Sequence, residues 1–211
     1  MRWHHSIWHF SWQRLLVASF ATLVLTGCAG IDAAGREDQF TAVGLTGVQH
    51  IGPDFNISEF YVDGYPGSNV GRGGGGGRHV CCVNLPNQWR PGLTVDVRWA
   101  VGNWSKENLS EIAAGNYKSI TSEGAYKAIV PLENYDKPGQ LYVHFFPDGK
   151  VRVVSSYPDS ESPLHPIHRN DPHATDNATT GVPIKEIFTQ EELAEKLRRR
   201  EKNIKKYGDW R

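Results

Sequence analysis

The stretch Leu93–Val101 reads LTVDVRWAV and alternates apolar with other residues along its length. Extended chain has a side-chain period of two, so Leu93, Val95, Val97, Trp99 and Val101 share one face. A strand of this kind is half-buried: it needs neighbours in a sheet and a second layer over its apolar face. The surrounding chain offers both. Leu141 to Phe146 and Val151 to Ser155 are strand-like runs joined by Pro147-Asp148-Gly149-Lys150, whose residues supply a tight turn. Ile57 to Asp63, Val80 to Leu85 and Tyr126 to Leu132 read as further strands, each bounded by Gly, Pro or Asn. The pattern predicts a mainly β (α+β) fold, an antiparallel sheet or sandwich closed by a C-terminal α-helix.

That helix is expected from about Gln190 to Lys206. Thr189-Gln190-Glu191-Glu192 matches a capping box, acidic residues come early and basic ones from Lys196 onward, complementing the helix dipole. Only Leu193, Leu197 and Ile204 form an apolar stripe, which predicts weak packing on the sheet. A short helix is expected at Ser105 to Ala114. Between the strands and the last helix, Pro158 to Pro183 is rich in Ser, Pro, His, Asp, Asn and Thr, with Leu164 and Ile167 as its main apolar residues; it reads as a long loop.

The N-terminus carries an address. Arg2 and Arg14 precede an apolar run from Leu15 to Leu25, no acidic residue occurs before Asp32, and the run ends Leu25-Thr26-Gly27-Cys28. A basic start and an apolar segment too short for a comfortable span mark a secretory signal. The ending resembles the lipobox of bacterial lipoproteins, which implies that Cys28 is acylated and heads the mature chain. Several acyl chains hold a protein on a membrane where one is marginal. Ala29 stands where the Gram-negative sorting pattern has an aspartate for inner-membrane retention, so the resemblance implies the periplasmic face of the outer membrane. The expected organisation is a signal peptide over 1–27, a tether over 28–39, a β-rich domain over 40–157, a long polar loop over 158–188 and the C-terminal helix over 189–211.

Charge narrows the partners. The chain has 23 basic and 23 acidic residues, and losing Arg2 and Arg14 with the signal leaves 21 basic ones. A near-neutral chain of this kind points to no nucleic-acid partner. The sequons at Asn56, Asn103, Asn108 and Asn177 are chance matches in a bacterial lipoprotein.

Catalytic and cofactor motifs are incomplete. The glycine run Gly73 to Gly77 lies between Arg72 and Arg78, but no Lys-Ser or Lys-Thr follows it and the next residues, Val80-Cys81-Cys82-Val83, read as a strand. A phosphate-binding loop needs a helix there, and a dinucleotide site needs a helix and a distal acid. Arg72 and Arg78 remain candidates for gripping an acidic partner or a lipid phosphate, against the plainer reading of a solvated loop. Cys81 and Cys82 are either an adjacent-cysteine disulfide, which requires a small strained ring, or two thiols on a strand. A thioredoxin-like centre has two intervening residues, so redox catalysis is not expected. His165, His168 and His173 lie near Asp171 and Asp176, yet Pro166 and Pro172 argue against the helix that would aim His165 and His168 together, and no metal-ligand pattern is completed. No nucleophile elbow occurs, so no catalytic residue, metal or cofactor is assigned. Trp89 and Arg90, in the loop Pro86 to Gly92, are candidate partner contacts; alternatively Trp89 folds back over a sheet edge.

Tyr65-Pro66-Gly67, the glycine run, Val80-Cys81-Cys82, Leu85-Pro86, Trp89, Pro91-Gly92-Leu93 and Val97-Arg98-Trp99 together form a recognisable pattern. Over roughly Val43 to Val154 the chain resembles a family of proteobacterial lipoproteins of formerly unknown function, similar to immunity proteins of type VI secretion lipase effectors. The resemblance implies a stoichiometric inhibitor, not an enzyme, whose partner is a secreted phospholipase of the α/β-hydrolase class. A structural or binding lipoprotein of the envelope is the alternative.

Overall fold

A computed structural model of the chain describes residues 39–73, 79–105, 109–116 and 124–208. The chain divides into Met1–Phe40 and Thr41–Arg211, and the fold belongs to the second unit. Two five-stranded sheets face each other, as alternation in the strands requires. One has β1 (Phe40–Gln49), β4 (Val80–Pro86), β7 (Gln140–Phe146), β8 (Lys150–Ser156) and β9 (Thr179–Thr180), in the order β4-β1-β7-β8-β9. The other has β2 (Phe55–Val62), β3 (Tyr65–Pro66), β5 (Thr94–Asn103), β6 (Gly124–Pro131) and β10 (Val182–Ile184), in the order β10-β6-β5-β2-β3. Helix α1 (Leu109–Ala113) is one short turn, and α2 (Gln190–Tyr207) is the long C-terminal helix.

The alternating strand behaves as its sequence predicts: Val95, Val97, Trp99 and Val101 are buried in β5, while Leu93 lies just before the strand and packs against the core. The expected hairpin is β7–β8, in register from Gln140 opposite Ser156 to Phe146 opposite Lys150. Its turn uses positive φ at Asp148 (60°) and Gly149 (65°), the region that a tight reversal demands. Inward residues of both sheets, among them Leu45, Phe60, Val97, Trp99, Val143, Phe145 and Val153, form one core.

Two features depart from the sequence reading. First, β1 is not among the strands expected from the sequence, yet it is an interior strand and pairs with β7 in parallel, Leu45 opposite Leu141 through Gln49 opposite Phe145. The sandwich is therefore mixed. Second, the segment 158–188 is not all loop. Thr179–Thr180 extends one sheet and, across the buried Gly181, Val182–Ile184 extends the other. Upstream, the loop lies on the outer face of the first sheet, burying Ile167 and Ala174 against Val48, Tyr142, Phe146 and Val154. A few apolar residues suffice because the strands beneath present an apolar outer face that water would otherwise reach.

The C-terminal helix has the expected capping box, with the Thr189 side chain accepting from the Glu192 main chain and the Glu192 carboxylate accepting from Thr189 N–H. None of its residues is buried. Among the described residues no helix is long and apolar enough to cross a membrane.

Candidate functional site

The parallel pairing of β1 with β7 sets Val48 beside His144 and leads β1 directly into His50. On the outer face of this sheet the loop lays down His165, and three imidazoles join end to end. His50 Nε2 is 2.9 Å from His144 Nδ1, and His144 Nε2 is 3.0 Å from His165 Nε2. His165 Nδ1 is 3.0 Å from the Pro158 carbonyl oxygen. A carbonyl only accepts, so this last contact requires the proton on Nδ1 of His165. With neutral rings the assignment then propagates: His165 Nε2 accepts from His144 Nε2–H, and His144 Nδ1 accepts from His50 Nε2–H. At the end of the chain, His50 Nδ1 is buried with its lone pair unpartnered.

Burial keeps these rings neutral. His50 is pushed down to about 4, first by desolvation and then by the Arg169 charge, with the Arg169 main chain acting the other way as an acceptor for a protonated ring. His144 lies well below the usual histidine range because it is buried, with His50, His165 and Arg152 adding to the effect. His165 is lowered mainly by burial, while the Pro158 carbonyl favours its charged form. Rings pack the chain on its flanks: Phe146 stacks on His50 at 4.7 Å and Tyr142 meets His165 edge-on at 4.7 Å.

The arrangement is a clasp. Its neighbours fasten the same loop: Arg152 makes two bonds to the Glu133 carboxylate and donates to the Ala174 carbonyl, and Arg169 donates to the Gly73 carbonyl at the start of the glycine run. His144 uses its two nitrogens in opposite directions, so His50 and His165 cannot join it on one ion without breaking the chain. The other loop histidines stand apart, for His168 is exposed and His173 pairs with Asp176 at the surface.

The other candidates from the sequence are dispersed. Arg72 is exposed and its guanidinium lies over the Trp104 ring at 5.3 Å. It sits at the pole where β1 ends, since Gln49 Nε2 donates to the Gly71 carbonyl. Trp89 is at the opposite pole, packed against the core and donating to the Leu132 carbonyl at 2.8 Å, which is the fold-back reading over a sheet edge. Arg90 beside it is exposed. Arg72 and the Trp89–Arg90 pair therefore do not form one surface. Arg78 and Cys28 lie outside the described residues. Cys81 and Cys82 are bonded to each other across a cis peptide, the disulfide of the two alternatives, with Cys81 exposed and Cys82 half-buried.

A second constellation lies under α2, where a cleft of about 1050 Å³ is lined by Gly64, Tyr65, Arg98, Phe188, Lys196 and Ile204 among others. Arg98 projects from β5 and makes two bonds to Glu192, at 2.7 and 2.8 Å, two to Asp96 and one to the Ile187 carbonyl. The guanidinium pulls Glu192 down to about 2. Lys196 donates to the Gly64 carbonyl and sits 3.8 Å from the Phe188 ring centre. These contacts pin the first turns of α2 to the sheet.

A family model described as a protein of unknown function, DUF3304, matches residues 53–153. The chain is similar to the DUF3304 family over that span. No curated protein and no solved structure matches the chain. The DUF3304 span opens just before β2 and closes within β8, so it holds the glycine run, the disulfide, the Trp89 loop and His144. It leaves out β1 with His50, the loop with His165, and α2. The histidine clasp thus joins one ring inside the DUF3304 span to two outside it. Sequence reading missed the clasp because His50, His144 and His165 are remote in the chain; its local hint was a histidine interrupting the apolar run of β7.

Proposed function

We propose that this chain is a periplasm-facing lipoprotein, held on the outer membrane through acylated Cys28, that protects its cell by binding and neutralising a type VI secretion phospholipase. The motif pattern across Val43 to Val154 supports the family reading, and the DUF3304 match covers most of that pattern. One structural observation carries the binding role. Among the described residues, the buried side chains of His144, His165 and Arg152 each close a contact between the sandwich and its covering loop. Groups engaged in this way stiffen a surface, and a stiff surface binds without a large ordering cost. An inhibitor of this kind acts by occupancy, covering the lipase's substrate entrance or blocking a required movement.

The test is survival. Cells exporting the phospholipase to the periplasm are expected to live when they produce this chain and to lyse when they do not, and the purified pair is expected to co-elute. Absence of both protection and co-elution removes the immunity reading and leaves an envelope-binding lipoprotein. Palmitate labelling that persists in Cys28→Ser removes the anchor.

A further inference from the structure

The second half of α2 has a different character from its pinned first turns. Arg198, Arg199, Arg200, Lys202, Lys205 and Lys206 are all exposed, with Glu201 as the acidic residue among them. Arg198, Lys202 and Lys205 follow i, i+4, i+7 spacing and so share one stripe of the helix. The opposite face is taken up: Lys196, Arg199, Arg200, Asn203 and Ile204 line the cleft against Gly64 and Tyr65. The stripe therefore points away from the sandwich. Leu197 beside it is 59% exposed.

The position of the helix matters as much as its charge. Thr41, the first residue of the folded unit, bonds to Asn87. From there contacts run around one pole of the sandwich: Trp89 to Leu132, Leu132 to Leu93, then from the start of β5 Asp96 accepts from Asp63, and Lys196 of α2 donates to Gly64. The helix is thus pinned at the pole where the chain enters the domain. The residues between Cys28 and Thr41 reach at most about 45 Å when fully extended.

We propose that the outward stripe of α2 rests on anionic phospholipid headgroups and orients the sandwich on the bilayer. The inference rests on the lipid-anchored reading only for what brings the helix near a membrane; the contact itself is a property of the folded unit. Charge complementarity selects this occupant. A row of exposed cations, of which Arg198 also pairs with Glu195 at 3.9 Å, suits a diffuse anionic surface, where each basic side chain near the membrane strengthens binding about fivefold, and the contact weakens as salt screens it.

The experiment uses the mature chain from position 28 onward with Cys28→Ser, which lacks both the apolar signal and the acylation site, and sedimentation with vesicles of phosphatidylcholine alone or with about three-tenths phosphatidylglycerol. Binding is expected to be at least tenfold tighter to the anionic vesicles and to fall steeply at high salt. The triple variant Arg198→Glu, Lys202→Glu, Lys205→Glu is expected to lose roughly a hundredfold or more while its circular dichroism and melting temperature stay close to the parent. Equal binding to both vesicles, no binding to either, or a folded triple variant that binds like the parent overturns the proposal. If the triple variant does not fold, Lys202→Glu alone is read instead, with about a fivefold loss or more expected and an unchanged affinity overturning the proposal. Vesicle binding without palmitate labelling of the native chain defeats the anchor alone; labelling without vesicle binding defeats the helix contact alone.

Discussion

His144 shows how a single residue changes meaning with depth. On a surface it would titrate near pH 6.5; buried between His50 and His165 it stays neutral, and the linkage sign follows. Each of these rings has a folded-state pKa below its unfolded value, so the unfolded chain binds more protons as pH falls. Stability from the clasp is therefore full above about pH 6.5 and declines as pH falls toward the His50 value of about 4. The slope approaches about 1.4 kcal/mol per pH unit for each ring kept neutral. Melting temperatures measured across this range are expected to fall with pH, and His144→Gln is expected to flatten the profile. Gly67 acts through space instead of charge. A Cβ there would enter the ring of the fully buried Phe60, so Gly67→Ala is predicted to destabilise by about 1–3 kcal/mol in urea unfolding.

At the scale of elements, α2 is held by its first turns. Arg98 meets Glu192 with two hydrogen bonds; the Arg98 side chain is only 11% exposed and the Glu192 side chain 39%, so the guanidinium end of the pair is shielded while the carboxylate still meets water. Arg98→Ala is predicted to raise amide exchange throughout α2 and to cost about 1–3 kcal/mol, while β5 keeps its protection. The depressed Glu192 pKa sets the acid limit: the contact is complete above about pH 4.5 and is lost as pH falls through about 2. Removing the cap with Thr189→Ala is predicted to cost about 1 kcal/mol, read as reduced helicity. The Cys81–Cys82 bond does little at this scale. Neighbours in sequence close almost no loop, so reduction is predicted to lower stability by on the order of 1 kcal/mol or less, against about 3 kcal/mol for a 15-residue loop. Paired unfolding curves with and without a dithiol check this.

At the scale of the whole molecule, the two poles of the sandwich separate the features that the sequence places close together. Arg72 and the start of the glycine run lie at one pole, beside the loop held by Arg169; Trp89, Arg90 and the chain entry lie at the other. A phospholipase bound at one pole would leave the other free to face the membrane. Shielding of the Arg72 pole from amide exchange in the complex, with α2 unchanged, is the expected outcome for the proposed partner. Shielding of α2 instead would place the inhibitor contact on the helix.

The sequence by itself determined the elements whose signals are local: the alternating β5, the β7–β8 hairpin with its Asp-Gly turn, and the capping box of α2. Each depends on residues within a few positions of one another, where side-chain period and turn chemistry act directly. It did not reveal β1, because that strand contributes to the inner core on one side and meets the covering loop on the other, and covered strands lose the contrast between apolar and polar faces. Nor did it reveal that a loop so rich in polar residues is packed. Only the tertiary structure decided which histidines meet, which carboxylate holds Arg98, and that Arg72 and Trp89 face opposite ends. These are contacts between residues 21 to 94 positions apart or placements set by sheet order, and their energy exists only once the two layers have closed.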